Sequence, residues 1–333
     1  MTFSWGVVHT VSPLTVIEDG SSNALPGIQS LVDPSSLTVG DMVRVELAQG
    51  GRVVVYGRTD GLGVLSGENL IINGDFRINQ RDAVSGATVS TGEYFLDRWF
   101  ASTGDSGAGS TGTLNWVSMP GDGRRLSVGT SSIGRWFAQT IEKENFQPGT
   151  YVVSWKGDTK ARIFAEGSPS GVFVSSPFTF ESTATVDTTV EFEGKDEQTW
   201  NVKVTRCTVP TPFVPRLYGA ELALCQRYYI RFRPPSGAAV WSLMNGSMYT
   251  SAMFFGVLAL PVPMRVAPTL TYSGAADFDV FTGGSNLTAS EVGLTRAGSF
   301  AQEVKFTVSG ATQGHGAWVR VGNSGWLAFD AEL

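Results

Sequence analysis

The sequence predicts an all-β protein built from several domains. Glycine (40 residues), phenylalanine (20) and tryptophan (9) are abundant, and charged residues make up only 16% of the chain. This composition favours strands and turns over long helices. Short runs in which apolar and polar residues alternate recur along the sequence, as expected for half-buried strands. A length of 333 residues accommodates two or three domains, each with its own core.

The first 62 residues predict a small, OB-like barrel. Apolar residues alternate there in three runs: Phe3, Trp5 and Val7; Val43, Val45 and Leu47; Val53 and Val55. Each run places its apolar side chains on one face of a strand. A compact five-stranded barrel fits this length. Residues 63–68 are rich in glycine and predict a linker to the next domain.

Residues 69–215 predict a jelly-roll β-sandwich, and residues 234–333 predict a second, C-terminal β-sandwich. The clearest alternations are Tyr151, Val153 and Trp155; Val190 and Phe192; Trp200, Val202 and Val204; Val304, Phe306 and Val308; Val319 and Val321. Between the two sandwiches, residues 216–233 alone show helical spacing and predict a short helical connector, with the helix between Gly219 and Phe232. Pro234 and Pro235 end it.

Charge and targeting signals narrow the classes of partner. The net charge is −6 and no basic run occurs, so we expect no nucleic-acid partner. Residues 1–20 lack the pattern of a signal peptide, and the apolar run from Ala252 to Val262 is too short for a membrane span. Cys207 and Cys225 are expected to be buried free thiols, with a disulfide as the alternative.

Motifs for catalysis or metal binding are absent. His9 and His315 have no partner at metal-ligand spacing, and the sequence contains no Cys-x-x-Cys, nucleophile elbow or phosphate loop. We therefore expect no metal, no cofactor and no enzymatic activity. A glycoside hydrolase needs only two carboxylates, which can come from distant strands. Glu191 and Glu193 alternate with Val190 and Phe192 and are interpreted as a solvated strand face rather than as an acid and base pair.

Two long motifs resemble the jelly-roll domain of many phage and prophage tail proteins, which is similar to carbohydrate-binding modules. The opening motif is Asn69–Arg81 (NLIINGDFRINQR), followed by Leu96-Asp97-Arg98-Trp99, and the closing motif is Thr211-Pro212-Phe213 with Tyr218–Tyr229 (YGAELALCQRYY). Two shorter matches are weaker. Residues 260–269 resemble the start of the C-terminal region of these proteins, and residues 12–16 resemble the small N-terminal domain of some minor tail proteins.

The sequence departs from the related cellular sugar-binding modules at one position. In many of them an acidic residue after the Gly-Asp-Phe or Gly-Phe motif helps to hold a structural calcium ion. Arg77 stands there in this chain. Because its positive charge opposes a cation, we expect no calcium at this position.

Trp136 and Arg135 are the candidate glycan-binding residues. Sugar rings present a C–H face that packs on an aromatic ring, and neighbouring polar groups bind the hydroxyls. If Phe137 and Ile141 face the core, alternation points Trp136 outward. The alternative is a Trp packed at a domain or subunit contact. Trp99 and Trp155 are interpreted as core residues.

Trp318 and Arg320 are the candidate interface residues. They alternate with Val319 and Val321, so both point outward, and such a pair is typical of subunit contacts, with contact to the host surface as the alternative. Residues 234–333 also carry many aromatic and Met side chains beside few charges. We expect a homotrimer with its contacts in this region; the threefold order is implied by the resemblance to tail fibres and spikes.

The resemblance implies a structural virion protein of the distal tail, assembled in the host cytoplasm and released by lysis. The expected function is that of a tail fibre or receptor-binding protein that adheres to host cell-wall or surface polysaccharide without cleaving it. Its other partners would be phage tail proteins, with the N-terminal barrel as attachment domain or spacer. Two alternatives stay open: a tail-associated polysaccharide-degrading enzyme and a purely architectural tail-tip protein.

Overall fold

The computed structural model describes the chain except residues 1, 19–20, 26–27, 31–36, 38, 49–51, 59–68, 103–111, 120–122, 130–134, 166–169 and 195–197. The protein is nearly all β, with 50% of residues in strands and 6% in helical segments, which confirms the predicted fold class. The chain forms two compact units: Met1–Asp75 with Ser102–Pro215, and Phe76–Ala101 with Arg216–Leu333. The predicted linker, residues 63–68, lies outside the described residues.

The N-terminal residues form a sheet that curves as a half-barrel. Its strands are β1 (Thr2–Val11), β2 (Leu14–Glu18), β3 (Ala24–Leu25), β4 (Gln29–Ser30), β5 (Met42–Ala48) and β6 (Arg52–Arg58). Their order is β3-β2-β1-β5-β6-β4. Val43, Val45 and Val55 are buried as predicted. The predicted face of β1 is wrong at Val7, which is 40% exposed, because Val8 is the residue that packs into the core with Val16 and Val43.

The following strands include the jelly-roll-like sandwich. They are β7 (Ala87–Val89), β8 (Tyr94–Leu96), β9 (Trp99–Ser102), β10 (Gly112–Met119), β11 (Gly123–Gly129), β12 (Arg135–Ile141), β13 (Gly149–Gly157), β14 (Ala161–Ala165), β15 (Phe178–Ser182), β16 (Thr188–Gly194) and β17 (Gln198–Arg206). Within the first unit, neighbouring strands run in the orders β15-β13-β17-β11-β10 and β14-β16-β12. Tyr151, Val153, Trp155, Phe192 and Val204 are buried between them, as the alternation predicted.

The second unit contains one α-helix and two antiparallel sheets. Helix α1 (Tyr218–Gln226) is followed by β18 (Tyr229–Phe232), β19 (Val240–Met248), β20 (Met253–Ala259), β21 (Thr269–Tyr272), β22 (Phe278–Thr282), β23 (Ser285–Thr288), β24 (Glu291–Ala297), β25 (Ala301–Thr307), β26 (Gly316–Gly322) and β27 (Leu327–Asp330). The sheet orders are β23-β22-β26-β19-β20-β25-β24 and β18-β27-β21. The predicted helix is confirmed, and the end of its segment forms β18.

One core fills the second unit. Val304, Phe306, Val319 and Val321 are fully buried, as predicted from their alternation. They pack with residues of the three-stranded sheet such as Phe329. Trp99, also fully buried, packs against Phe76 with ring centroids 4.9 Å apart. Both residues belong to Phe76–Ala101, a segment of this unit that lies in the stretch predicted as jelly roll.

The first part of the opening motif follows the backbone of β17. Asn69 Nδ2 donates to Val202 O (2.9 Å), and Asn69 Oδ1 accepts from Val204 N (2.9 Å). A Cβ at Gly74 would lie 2.3 Å from Val202 O, so the close approach requires glycine here. These contacts account for the Asn and Gly of the motif as structural residues of the first unit.

The second part of the opening motif and the closing motif meet at the carboxylate of Glu332. Arg81 Nη2 lies 3.1 Å from Glu332 Oε1, and Arg98 Nη1 pairs with Glu332 Oε2. Both arginines stack on tyrosines of the closing motif, Arg81 over Tyr229 (3.8 Å to the ring centroid) and Arg98 over Tyr228 (3.6 Å). The two stretches most specific to the resemblance thus share one polar cluster within the second unit.

Asp97 lies beside this cluster and is fully buried. Its carboxylate accepts from Gln80 N and Gln80 Nε2, both at 2.6 Å. Burial nevertheless raises the pKa of Asp97 to about 6, with the Glu332 charge acting in the same direction, against the hydrogen bonds from Gln80 and the charge of Arg81. The folded protein therefore binds a proton at Asp97 more tightly than the unfolded chain does.

Cys207 and Cys225 are buried free thiols, as predicted, and burial raises the pKa of each. In the part of the chain that the structure describes, no helix has the length and apolar character needed to cross a membrane.

The raised pKa of Asp97 predicts a specific pH dependence of stability. Because the folded-state pKa exceeds the unfolded value, the free energy of unfolding should increase as the pH falls through about 6 toward 4, by up to about 3 kcal/mol. Asp97→Asn should remove this contribution. Chemical denaturation between about pH 7.5 and 4.5 measures it.

Asp158→Asn, at an exposed position, is the matched control and should leave the pH profile of the wild type unchanged. A wild-type stability that declines steadily below about pH 6, with Asp97→Asn following the same curve, would show that Asp97 does not titrate as its burial implies.

Candidate functional site

Trp136 lies on the face of β12 that points away from the sandwich core. Phe137 and Ile141 are buried, and Phe137 stacks on Phe192 with ring centroids 5.0 Å apart. Successive side chains of a strand point to opposite faces, so Trp136 is directed to the other side, where it is partly buried. Ala138 and Thr140 on that same side are buried, so Trp136 lies where this covered face begins to be accessible.

Two side chains hold the Trp136 ring. The ring of Phe173 lies 4.9 Å away between centroids, at an interplanar angle of 59°. The guanidinium carbon of Arg162 lies 4.8 Å from the Trp136 centroid and 4.7 Å from that of Phe173. A guanidinium near two ring faces is attracted by their negative quadrupoles. The indole is thus fixed in one orientation while part of its surface remains accessible.

A buried ion pair lies beneath these rings. Arg162 on β14 and Glu191 on β16 are direct neighbours in the sheet register, and Arg162 Nε donates to Glu191 Oε2 at 2.7 Å. Ser102 Oγ donates to the other carboxylate oxygen. Both ionic side chains are almost inaccessible to solvent. The interpretation of Glu191 as part of a solvated strand face is therefore wrong, because Arg162 neutralises it and allows its burial.

This arrangement, here called the Trp136 site, consists of Trp136, Phe173, Arg162 and Glu191. It combines a fixed aromatic surface with a positioned charge pair. Glu193 is the direct register neighbour of Trp136 on β16 and is partly exposed, so its side chain leaves the sheet on the same side as the ring. The site therefore combines an aromatic surface with a neighbouring acidic side chain.

The predicted partner of Trp136 can be placed only by its backbone. Arg135 begins β12 opposite Gly194, and its side chain lies outside the described part of the structure. Sequence reasoning missed Arg162 and Phe173. Neither follows an apolar alternation that marks a site, and the pairing of Arg162 with Glu191 appears only once the strand register is known.

Trp318 and Arg320 lie on the outer face of the seven-stranded sheet in the second unit. Val319 and Val321 between and beside them are fully buried, which confirms the predicted alternation. The Trp318 ring packs on Phe281 of the neighbouring strand, with centroids 4.4 Å apart at 32°. Arg320 lies over Phe281 (4.3 Å), and its Nη1 donates to Asn286 Oδ1 at 3.2 Å.

Arg77 occupies the position at which related sugar-binding modules carry an acidic calcium ligand. Arg77 donates through Nη2 to the carbonyl oxygen of Arg216, so its guanidinium has a structural partner where related modules carry an acidic residue. Among the described residues, no group of three or more His, Cys, Asp or Glu side chains is arranged to hold a metal ion.

Comparison of the chain with protein-family models and with curated protein sequences gives no match. The assignment of function therefore depends on the two motifs and on the geometry of the Trp136 site and the outer sheet face.

The contribution of the Arg162–Glu191 ion pair to stability can be tested by comparing a single substitution with a double one. Arg162→Ala should lower the free energy of unfolding by about 3 kcal/mol or more, because it leaves the Glu191 carboxylate buried without its countercharge. The double variant Arg162→Met/Glu191→Leu should recover much of this loss, since it replaces both charges by apolar groups of similar size. Denaturant titration provides the measurement.

Arg206→Ala is the control, because the side chain of Arg206 makes its hydrogen bonds to Gln147 and Pro148 at an exposed position. We expect a loss below about 1 kcal/mol there. Equal effects of Arg162→Ala and Arg206→Ala would mean that the buried pair does not organise the site.

Proposed function

We propose that this chain is a non-enzymatic adhesion protein of a phage tail that binds host cell-surface glycan through the Trp136 site. The observation that carries the proposal is the partly accessible Trp136 ring, fixed by Phe173 and Arg162 on the face of β12 opposite Phe137. The resemblance of the opening and closing motifs to phage tail proteins supplies the setting.

The chemistry of the site suits a glycan. A pyranose ring has an apolar C–H face that packs on an indole, and its hydroxyls seek charged or polar partners at the ring border. Glu193, the register neighbour of Trp136, is the acidic residue proposed for this role. Because Arg162 already holds the indole in place, little side-chain entropy is lost when a ligand binds. Pre-organised rings of this kind favour binding of a repetitive surface polymer.

Binding without cleavage is the better-supported activity. Glycoside hydrolysis needs one carboxyl group as proton donor and a second as nucleophile or base. Glu191 has an Arg162 Nε–H and a Ser102 hydroxyl on its two oxygens and is buried, so it is engaged structurally. The alternative, a polysaccharide-degrading tail enzyme, predicts new reducing ends when purified protein is incubated with host wall glycans.

The proposed setting is the distal tail of the virion. The half-barrel would attach the chain to other tail proteins or act as a spacer, and assembly in the host cytoplasm would be followed by release on lysis. An architectural tail-tip protein without receptor contact is the further alternative. A cell-binding assay with the full chain separates it from an adhesion protein.

Replacement of Trp136 tests the glycan site. Trp136→Ala should weaken binding to purified wall polysaccharide of host bacteria by about tenfold, since the stacking surface contributes about 1.4 kcal/mol. The variant should retain the wild-type circular dichroism spectrum. Binding is measured by surface plasmon resonance on immobilised polysaccharide.

Phe180→Ala is the matched control, because Phe180 is also a partly buried aromatic residue but lies on edge strand β15 against Tyr151. It should bind like the wild type. Unchanged binding by folded Trp136→Ala would remove the Trp136 site from the proposal, and release of reducing ends by the wild type would replace adhesion by hydrolysis.

A homotrimer with contacts in residues 234–333 remains part of the proposal. Some of the aromatic and Met side chains that suggested this contact do not contribute to it, because Met244, Met248 and Phe254 are buried in the core of the second unit. Tyr249 and Val257, in contrast, are 65% and 61% exposed. Tyr249 packs edge-on against Phe255 of β20. Exposed apolar side chains on β20 and just after the end of β19 suit a symmetric contact between copies.

Substitutions at these two positions should dissociate the trimer. Val257→Lys combined with Tyr249→Ser should convert a trimeric mass into a monomeric one in multi-angle light scattering, because three like charges would meet an apolar contact. Val172→Lys, at an 82% exposed position of the first unit, is the control. A monomeric wild type, or a trimer that survives the double substitution, would exclude this contact.

A further inference from the structure

We propose that the outer face of the seven-stranded sheet carries a second glycan-binding platform for a neutral oligosaccharide, in which Trp318 supplies the ring surface and Phe281 supports it. It lies in the second unit, whereas the Trp136 site lies in the first, and it is argued from its own geometry. Its test is separate from that of the proposed function.

The two rings of the platform come from neighbouring strands. Phe281 of β22 and Trp318 of β26 are direct register partners, and their ring centroids lie 4.4 Å apart at 32°. Both side chains are partly exposed, while Val280 and Val319 beside them are fully buried. The buried residues anchor the two strands, so the ring pair rests on a rigid support.

Exposed amide side chains border the ring pair on both sides. Asn286 of β23 is the register partner of Phe281, and Asn245 of β19 is the register partner of Trp318. Both are exposed. From β19 to β23 the row crosses three interstrand gaps of about 4.8 Å, a span of about 14 Å. That length exceeds one sugar ring and fits a short oligosaccharide.

The charges on this part of the face favour a neutral ligand. Arg320 of β26 and Asp279 of β22 are direct register partners, so opposite charges stand side by side next to the ring pair. Arg320 is further engaged by Asn286 Oδ1 (3.2 Å) and by the face of Phe281. Asp279 Oδ1 accepts from Thr288 Oγ1 (2.8 Å). The local charge therefore balances and does not select an anionic sugar.

The same features disfavour the subunit contact predicted for Trp318 and Arg320. Interface cores are depleted in charged residues and gather large apolar groups. Here the rings are bordered by Asn286, Asn245, Arg320 and Asp279, an alternation of aromatic, amide and charged groups. Exposed apolar side chains occur instead along β20, at Val257. Ring packing combined with amide hydrogen bonds is the recognition chemistry of sugar hydroxyls and C–H faces.

The experiment measures binding of defined probes to the full chain. Cellohexaose, maltohexaose and chitohexaose serve as neutral probes, and hexagalacturonate as the acidic one, with isothermal titration calorimetry. The background is Trp136→Ala, which removes the ring of the other site. We expect at least one neutral probe to bind, Trp318→Ala to weaken it by about tenfold, and Asn286→Ala to weaken it by a smaller factor.

Phe300→Ala is the control, since Phe300 is 68% exposed and lies outside this row of strands; it should bind like its parent. The proposal is overturned if no neutral probe binds, if Trp318→Ala leaves the affinity for the neutral probe unchanged, or if only hexagalacturonate binds. It is also overturned if Trp318→Ala lowers the oligomeric mass in light scattering, which would identify a subunit contact. Failure of Trp136→Ala to weaken wall-polysaccharide binding affects the proposed function alone.

Discussion

The second unit depends on the burial of one carboxylate. Glu332, just after strand β27, is almost inaccessible and pairs with Arg81 and Arg98. A buried carboxylate without a countercharge costs several kcal/mol, and the same holds for each guanidinium. The segments that carry these three residues must therefore fold together. This explains why Phe76–Ala101 belongs to the same unit as the C-terminal strands.

The first unit also buries an ion pair, and there the pair orients two aromatic rings. Arg162 and Glu191 are buried as a pair, and the guanidinium also fixes the rings of Trp136 and Phe173. A buried pair seldom adds much stability compared with apolar residues of the same size. Its effect here is geometric, because it orients an indole that would otherwise rotate. Charge burial thus determines the shape of the candidate site.

Sequence patterns predicted those parts of the fold that depend on burial alone. Val304, Phe306, Val319 and Val321 alternate and are buried, since a pleated strand directs every second side chain to the core. The same rule failed where burial of a charged side chain depends on an ionic partner. Glu191 is buried because the strand register brings Arg162 beside it. Arg162 and Phe173 were therefore missed at the candidate site, whereas the placement of Trp136 opposite its buried neighbour Phe137 followed from strand alternation.

The motifs behind the family resemblance are engaged in the scaffold. Asn69 and Gly74 hold the chain against β17, and Arg81 stacks on Tyr229 of the closing motif. Trp136 and Trp318 lie outside both motifs. A protein that shares these motifs therefore needs to share the packing of the scaffold but not its ligand, because the ring-bearing faces can change without disturbing the buried contacts. The motifs accordingly support a structural setting, and the ligand must be inferred from the rings and their polar neighbours.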